Sequence, residues 1–217
     1  MTSSLQLIKH AHACVELRRG PHRILVDPGE LGAAPDLTDC CAVLVSHGHF
    51  DHASRTVLEE AAAARVPIFG PADLSSMLGS EVLAHWLTVL HPGERRTIGG
   101  LEVHVVGGRH APVHPEREGP ENLGYLFESR VLITGDQHPR VDGPVDVLVT
   151  PVDAPWLRAV DLIAYVRSVR PGTVLGVHDG LLNEAGLTVA DAVLRSLLTE
   201  GSGRALRLTP GQHLDLQ

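Results

Sequence analysis

The stretch Ala42-Val43-Leu44-Val45-Ser46-His47-Gly48-His49-Phe50-Asp51-His52-Ala53 decides how this chain is read. Its first half, residues 42–46, is an apolar run too short and too β-branched for a buried helix, so it is read as a central strand. Its second half packs His47, His49, Asp51 and His52, four metal-capable side chains, into six residues. On a loop, this spacing lets His47 and His49 converge on one point while Asp51 and His52 converge on another. Gly48 lets the backbone bend tightly enough for that. Zinc takes imidazole and carboxylate ligands at about 2.0–2.2 Å in four- or five-coordinate shells, and a catalytic site keeps one position for water. One loop cannot complete two such shells, so further ligands must come from elsewhere.

Outward from this stretch the chain alternates in kind. Residues 5–8, 14–17 and 23–26 read as short strands, punctuated by Gly20-Pro21 and ended by Asp27-Pro28-Gly29. Residues 53–65 form a helix that Pro67 stops before a strand over 66–69, and Pro71 opens a helix reaching Gly79. Strands over 88–90, 95–98 and 101–106 follow, the last two joined at Gly99-Gly100. Residues 124–128 and 131–134 make a second hairpin around Ser129-Arg130, and 145–150 is a buried strand. A helix over 157–169 ends before Pro171, a strand covers 173–177, and the last helix covers 189–198. Strands over 205–208 and 213–216 close the chain. Two meander stretches, each followed by strand–helix alternation, predict an α/β fold: a four-layer αββα sandwich forming one domain over 1–217.

In such a fold, loops gather functional groups just past the C-terminal ends of the strands. The strand over 103–106 runs through Gly107-Gly108 to His110, the strand over 131–134 delivers Asp136 behind the small Gly135, and the strand over 174–177 delivers His178. These three bring the candidate metal ligands to seven. His114 competes with His110, which is preferred because it lies nearer the strand end.

Composition narrows the partners. Of 217 residues, 43% are hydrophobic and 20% charged, as in a soluble globule, and no run approaches the ~20 apolar residues of a membrane span. With 18 Lys plus Arg against 26 Asp plus Glu, a net charge of −8 and only 3% aromatics, nucleic acid is not an expected partner. Cys14, Cys40 and Cys41 have no CxxC spacing and read as small buried fillers in a reducing compartment. The N-terminal MTSSLQLIKH lacks the pattern of a secretory leader, so a cytoplasmic location is expected. The 14 histidines, set against 2 Trp, 2 Tyr and 3 Phe, are the excess that asks for a chemical reason.

HxHxDH after a strand, a later His, a Gly-Asp and a final His after a strand together resemble the metallo-β-lactamase superfamily of dinuclear metal hydrolases. The match runs from His12 to His178. The resemblance implies that His47, His49 and His110 bind a first metal, that Asp51, His52 and His178 bind a second, and that Asp136 bridges them. It implies two divalent ions, zinc foremost, with Mn2+ or Fe2+ as alternatives. Lys9-His10-Ala11-His12-Ala13-Cys14, Ile24-Leu25-Val26-Asp27-Pro28 and Asn122-Leu123-Gly124-Tyr125 are similar to the branch that includes the ascorbate-6-phosphate lactonases.

The expected activity is hydrolysis of a small polar or anionic ester, lactone or phosphoester by a metal-bridging hydroxide. Asp51 could also hydrogen-bond the attacking water and carry its proton. His12 is either a substrate contact or a polar loop residue, and His138 either an acid toward the leaving group or a solvent-facing loop histidine. Trp156 either walls the pocket or caps the core, and Asp27 either supports a ligand histidine or caps its loop. Alternatives are a phosphodiesterase or nuclease of the same superfamily and a non-catalytic metal-binding protein. A mononuclear iron oxidoreductase would leave Asp51, His52 and His178 without a shared job.

Overall fold

Side chains alternate between the two faces of a strand, and that alternation separates the layers here. Along β3 (His22–Val26), Ile24 and Val26 face one side and Leu25 the other. Along β4 (Ala42–Leu44), Ala42 and Leu44 share the first side and Val43 the second. Strands covered on both faces must be apolar throughout, which is why these stretches read as unbroken apolar runs. The computed structural model describes residues 4–198 and 203–216.

The first sheet has the order β14 (His213–Leu216), β1 (Leu5–Lys9), β2 (Val15–Arg19), β3, β4, β5 (Ile68–Gly70), β6 (Leu87–Val89). Its β14-to-β3 half is antiparallel and its β3-to-β6 half parallel. The second sheet has the order β13 (Arg204–Arg207), β12 (Thr173–Val177), β11 (Val147–Pro151), β10 (Val131–Ile133), β9 (Glu121–Phe127), β8 (Leu101–Arg109), β7 (Arg95–Ile98). Here β13 to β10 run parallel and β10 to β7 antiparallel. Leu7, Leu17, Ile24 and Leu44 of the first sheet meet Val103, Tyr125, Val149 and Leu175 of the second in a common core.

Helices cover the outer faces. Leu58 and Ala61 of α1 (Arg55–Ala63), Leu74 of α2 (Leu74–Met77) and Leu83 of α3 (Glu81–Trp86) pack on the first sheet. Leu162 and Val166 of α4 (Ala159–Val169) and Leu194 and Leu197 of α5 (Glu184–Leu197) pack on the second. The result is the expected αββα sandwich. None of the described helices is long and apolar enough to cross a membrane.

Some boundaries differ from expectation. The helix expected from Pro71 to Gly79 is the single turn α2. The chain then turns left-handed at Gly79 (φ +59°), and Ser80 caps the separate α3. The last helix starts at Glu184, not Val189, because the Asn183 side chain accepts from the Gly186 N–H and caps it there. Strand β9 begins at Glu121, three residues early, and β11 begins at Val147. Cys14 is buried, but Cys40 and Cys41 are half-buried at the start of β4, so only one of the three fills the core.

Candidate metal centre

The two sheets are stitched together where the histidine loop leaves β4. The Leu123 N–H donates to the Ser46 carbonyl at 2.8 Å, and the Tyr125 hydroxyl donates to the Val45 carbonyl at 2.6 Å. Both donors lie on β9 of the second sheet, so the loop carrying His47 to His52 is fixed against the strand end that leads to Asp136. Gly48, expected to let the backbone bend tightly, does so without left-handed backbone; a Cβ there would come within 2.9 Å of Met77, so what glycine provides is close approach. Gly135, at φ +58°, does require glycine, and a Cβ there would meet Asn122 Oδ1 at 2.6 Å. Asn122 in turn accepts the Asp136 N–H at 2.9 Å and donates to the Thr134 carbonyl, so this side chain sets where Asp136 points.

The structure brings all seven sequence-predicted ligands into one cleft edge, in three overlapping groups with donor atoms within 4.8 Å of one another. These are His47, His49 and His110; His47, His52 and Asp136; and His12, Asp51, His52 and His178. His47 Nε2 lies 3.1 Å from His49 Nδ1, His178 Nε2 lies 3.2 Å from Asp51 Oδ2, and His52 Nε2 lies 3.1 Å from Asp136 Oδ1. Asp136 Oδ2 lies 3.4 Å from His110 Nε2 and 3.5 Å from His178 Nε2, placing this carboxylate between the two sets. Ligand distances of about 2.0–2.1 Å in a tetrahedral shell put neighbouring donor atoms about 3.3 Å apart, and these separations match that spacing. His12 Nε2, His52 Nε2, both ring nitrogens of His178 and Asp136 Oδ1 are buried without a hydrogen bond of good geometry among the described residues. Buried polar atoms left unpaired are costly, and cations bound in the cleft would take up the Nε2 atoms of His52 and His178 and the Asp136 oxygen.

Outer partners orient the rings. His52 Nδ1 pairs with Asp27 Oδ2 at 2.9 Å, His110 Nδ1 with the Ala111 carbonyl at 2.6 Å, and His47 Nδ1 with Ser46 Oγ at 3.0 Å. Ser46 Oγ itself donates to Asp27 Oδ2 at 2.8 Å, and the Ser46 N–H donates to Asp27 Oδ1 at 2.6 Å. In each ring the Nδ1 proton is used outward, which leaves the Nε2 lone pair facing the centre. Asp27 is therefore the supporting partner of a ligand histidine, in a left-handed backbone conformation (φ +54°) directly after β3. Ser46, Asn122, Tyr125 and Lys9 are the positioning residues that sequence reasoning missed. Ser46 was legible as the last residue of the strand run, and Lys9, Asn122 and Tyr125 only as parts of stretches similar to the lactonase branch, with no role attached.

Charges within the cleft act on one another. Burial alone would raise the Asp51 carboxyl, but the His12 and His178 imidazoles beside it outweigh that and hold it well below the usual carboxylate range. Asp136 is likewise held low against burial by His52 and His110. Burial opposes charge on His52, yet the carboxylates of Asp136 and Asp27 raise it well above an ordinary imidazole. Burial pushes His47 down.

The remaining candidates separate. His12 is buried in the cleft beside Asp51 and His178. Trp156 Nε1 donates to Asp136 Oδ2 at 2.9 Å, so it neither caps the core nor merely walls the pocket but holds a site carboxylate. His138 is half-buried, stacked on Tyr165 with ring centres 4.3 Å apart and edge-on to Trp156, which makes it a support for Trp156 and not a solvent-facing loop residue. His114 is exposed and pairs in an isolated bridge with Arg117, away from the donor set.

Residues 6–178 match the family model for the beta-lactamase superfamily domain. Protein Rv0786c of Mycobacterium tuberculosis is 31% identical over 188 residues, covering 82% of this chain and 85% of its own. A UPF0173 metal-dependent hydrolase of Methanosphaerula palustris is 33% identical over 119 residues, covering 53% of this chain and 49% of its own. Among solved structures, Igni18, a metallo hydrolase of Ignicoccus hospitalis, superposes with a TM-score of 0.71 at 14% identity, covering 99% of both chains, a likeness of fold. On its fold, its ordered donor set and this match over most of its length, the chain belongs to the beta-lactamase superfamily.

Proposed function

We propose that this chain is a metal-dependent hydrolase holding two divalent cations, zinc foremost, and acting on a small polar or anionic ester, lactone or phosphoester. The observation that carries the reading is the gathering of the seven donor groups into overlapping clusters, with Asp136 oxygens within 3.5 Å of His52, His110 and His178. In this reading His47, His49 and His110 hold one cation, Asp51, His52 and His178 hold the other, and Asp136 touches both. Bound there, the cations supply Lewis acidity and make water nucleophilic at neutral pH. The relative from M. palustris, itself named a metal-dependent hydrolase, supports the reaction class.

The chain's own residues fit that division of labour. No side chain at the site is built to be a nucleophile: Ser46 is fully buried and committed to Asp27, and burial pushes the Cys14 thiol far up from its ordinary value. Asp51, the more exposed of the two site carboxylates, can hold a proton delivered from an attacking water. Trp156 and Asn122 keep Asp136 from swinging as charge moves across the site. His110 lines an open recess of about 550 Å³ whose other walls include Arg109, Pro112, His114 and Arg117, room enough for a small substrate beside the donor set. The net charge of −8 supports a metabolite over a nucleic acid.

Elemental analysis of protein purified without added metal tests the reading. Close to two ions per chain are expected, with a clear loss in Asp136→Ala and with hydrolysis on an ester, lactone and phosphoester panel disappearing alongside. Unchanged metal content in Asp136→Ala would remove the bridging role.

A further inference from the structure

His12 sits among Asp51, His52 and His178 closely enough to pass for a further ligand. We propose instead that His12 is a positioning residue, locked in the tautomer that carries its proton on Nε2 and presenting that proton to Asp51. The Gly180 backbone N–H donates to His12 Nδ1 at 2.9 Å. A backbone N–H can only donate, so Nδ1 carries a lone pair, and an imidazole with a bare Nδ1 holds its proton on Nε2. The opposite ring orientation would set a ring C–H against the Gly180 N–H. Nε2 is the atom that lies 3.3 Å from Asp51 Oδ2, so what His12 offers the centre is a proton and not a lone pair. This is the reverse of His47, His52 and His110, whose Nδ1 atoms face outward partners.

The surroundings are built for this one geometry. His12 has left-handed backbone (φ +53°), a conformation non-glycine residues keep only when neighbours enforce it. Its carbonyl accepts from the His178 N–H at 3.2 Å and from the ammonium of Lys9, the chain's one lysine, which is buried and also pairs with Asp179 at 3.3 Å. A Cβ on residue 180 would stand 3.0 Å from both Cβ and Nδ1 of His12, so a larger residue there would push the ring away. Asp51 Oδ2 then faces a proton on the His12 side, at 3.3 Å, and His178 Nε2 on the other, at 3.2 Å, which favours one rotation of the carboxylate.

The inference rests on the proposed reading of Asp51 as a ligand, but the tautomer can be measured apart from it. Side-chain 15N NMR of the full chain, with and without zinc, should show a bare Nδ1 and a protonated Nε2 for His12 in both states, assigned by its disappearance in His12→Gln. With zinc bound, His52 and His110 should show the opposite pattern. Zinc competition against a chromophoric chelator supplies the second measurement. His12→Asn keeps an acceptor for Gly180 but cannot reach Asp51, and should weaken the weaker-bound zinc about tenfold. His12→Gln places an amide N–H where Nε2 was and should stay close to the parent. A bare His12 Nε2 whose signal moves on zinc addition, or outright loss of one zinc in His12→Gln, would overturn the proposal. A parent chain that binds a single zinc would instead overturn the two-cation reading, leaving the tautomer to decide on His12.

Discussion

A single hydrogen bond separates Trp156 from an ordinary aromatic at a helix entrance. Its indole N–H reaches Asp136 Oδ2 at 2.9 Å, and His138 braces the ring edge-on with centres 5.2 Å apart. Outer partners of this kind change metal affinity by about 10–100-fold when removed. Trp156→Phe keeps the ring and deletes the donor. It should bind zinc at least tenfold more weakly in chelator competition while its melting temperature in the metal-free state stays near that of the parent. Affinity equal to the parent's would show that Asn122 alone orients Asp136. The resemblance in the sequence pointed to Asp136, but nothing local to residue 156 says that its N–H turns inward, since that depends on where the β11–α4 loop crosses the end of β10.

At the scale of elements, the site depends on strands that end in the same plane. Leu44 lies on β4, is fully buried in the core between the sheets, and stands two residues before Ser46. Leu44→Ala leaves a cavity beneath the histidine loop and should cost about 2–5 kcal/mol in urea denaturation. A loss near zero would mean that the layers slide to close the gap. Helix starts show what local chemistry can and cannot announce. Ser54 accepts from the Val57 N–H and starts α1 at Arg55, two residues after the expected start, a signal available in the text. Asn183 and Ser80 were equally legible caps. In the text alone, Gly186 weakens the helical pattern after Asn183, and Gly79-Ser80 reads as a stop before it reads as a restart.

Across the whole molecule, the few buried charges outside the cleft are held in paired nodes. Glu16 of β2 takes Arg18, Arg23 and His10, and Arg23 also donates to the carbonyls of Asp36 and Thr38, tying two strands to the segment before β4. Burial would raise the Glu16 carboxyl, but these partners outweigh it and hold it at about 2. A carboxyl depressed in the folded state stabilises the fold above its unfolded value of about 4.3, and that contribution fades as the pH falls through 2. Glu16→Gln should therefore be less stable than the parent by about 1–3 kcal/mol at pH 7, with the gap closing in acid. Melting curves from pH 7 to pH 2 check this, and a gap independent of pH would assign the loss to packing.

The sequence by itself determined the layers and the donor list. Unbroken apolar runs report burial on both faces, and ligand-capable residues placed just past strand ends are visible one strand at a time, as His110, Asp136 and His178 were. Which donors face one another was decided only by the tertiary structure. The two sheets meet at the Val45–Tyr125 and Ser46–Leu123 hydrogen bonds, and the left-handed turns at His12, Asp27 and His178 exist because residues distant in the chain hold them. Hydrogen-bond direction, and with it the tautomer of each ring, is a property of neighbours brought together by folding, and no spacing in the text encodes it.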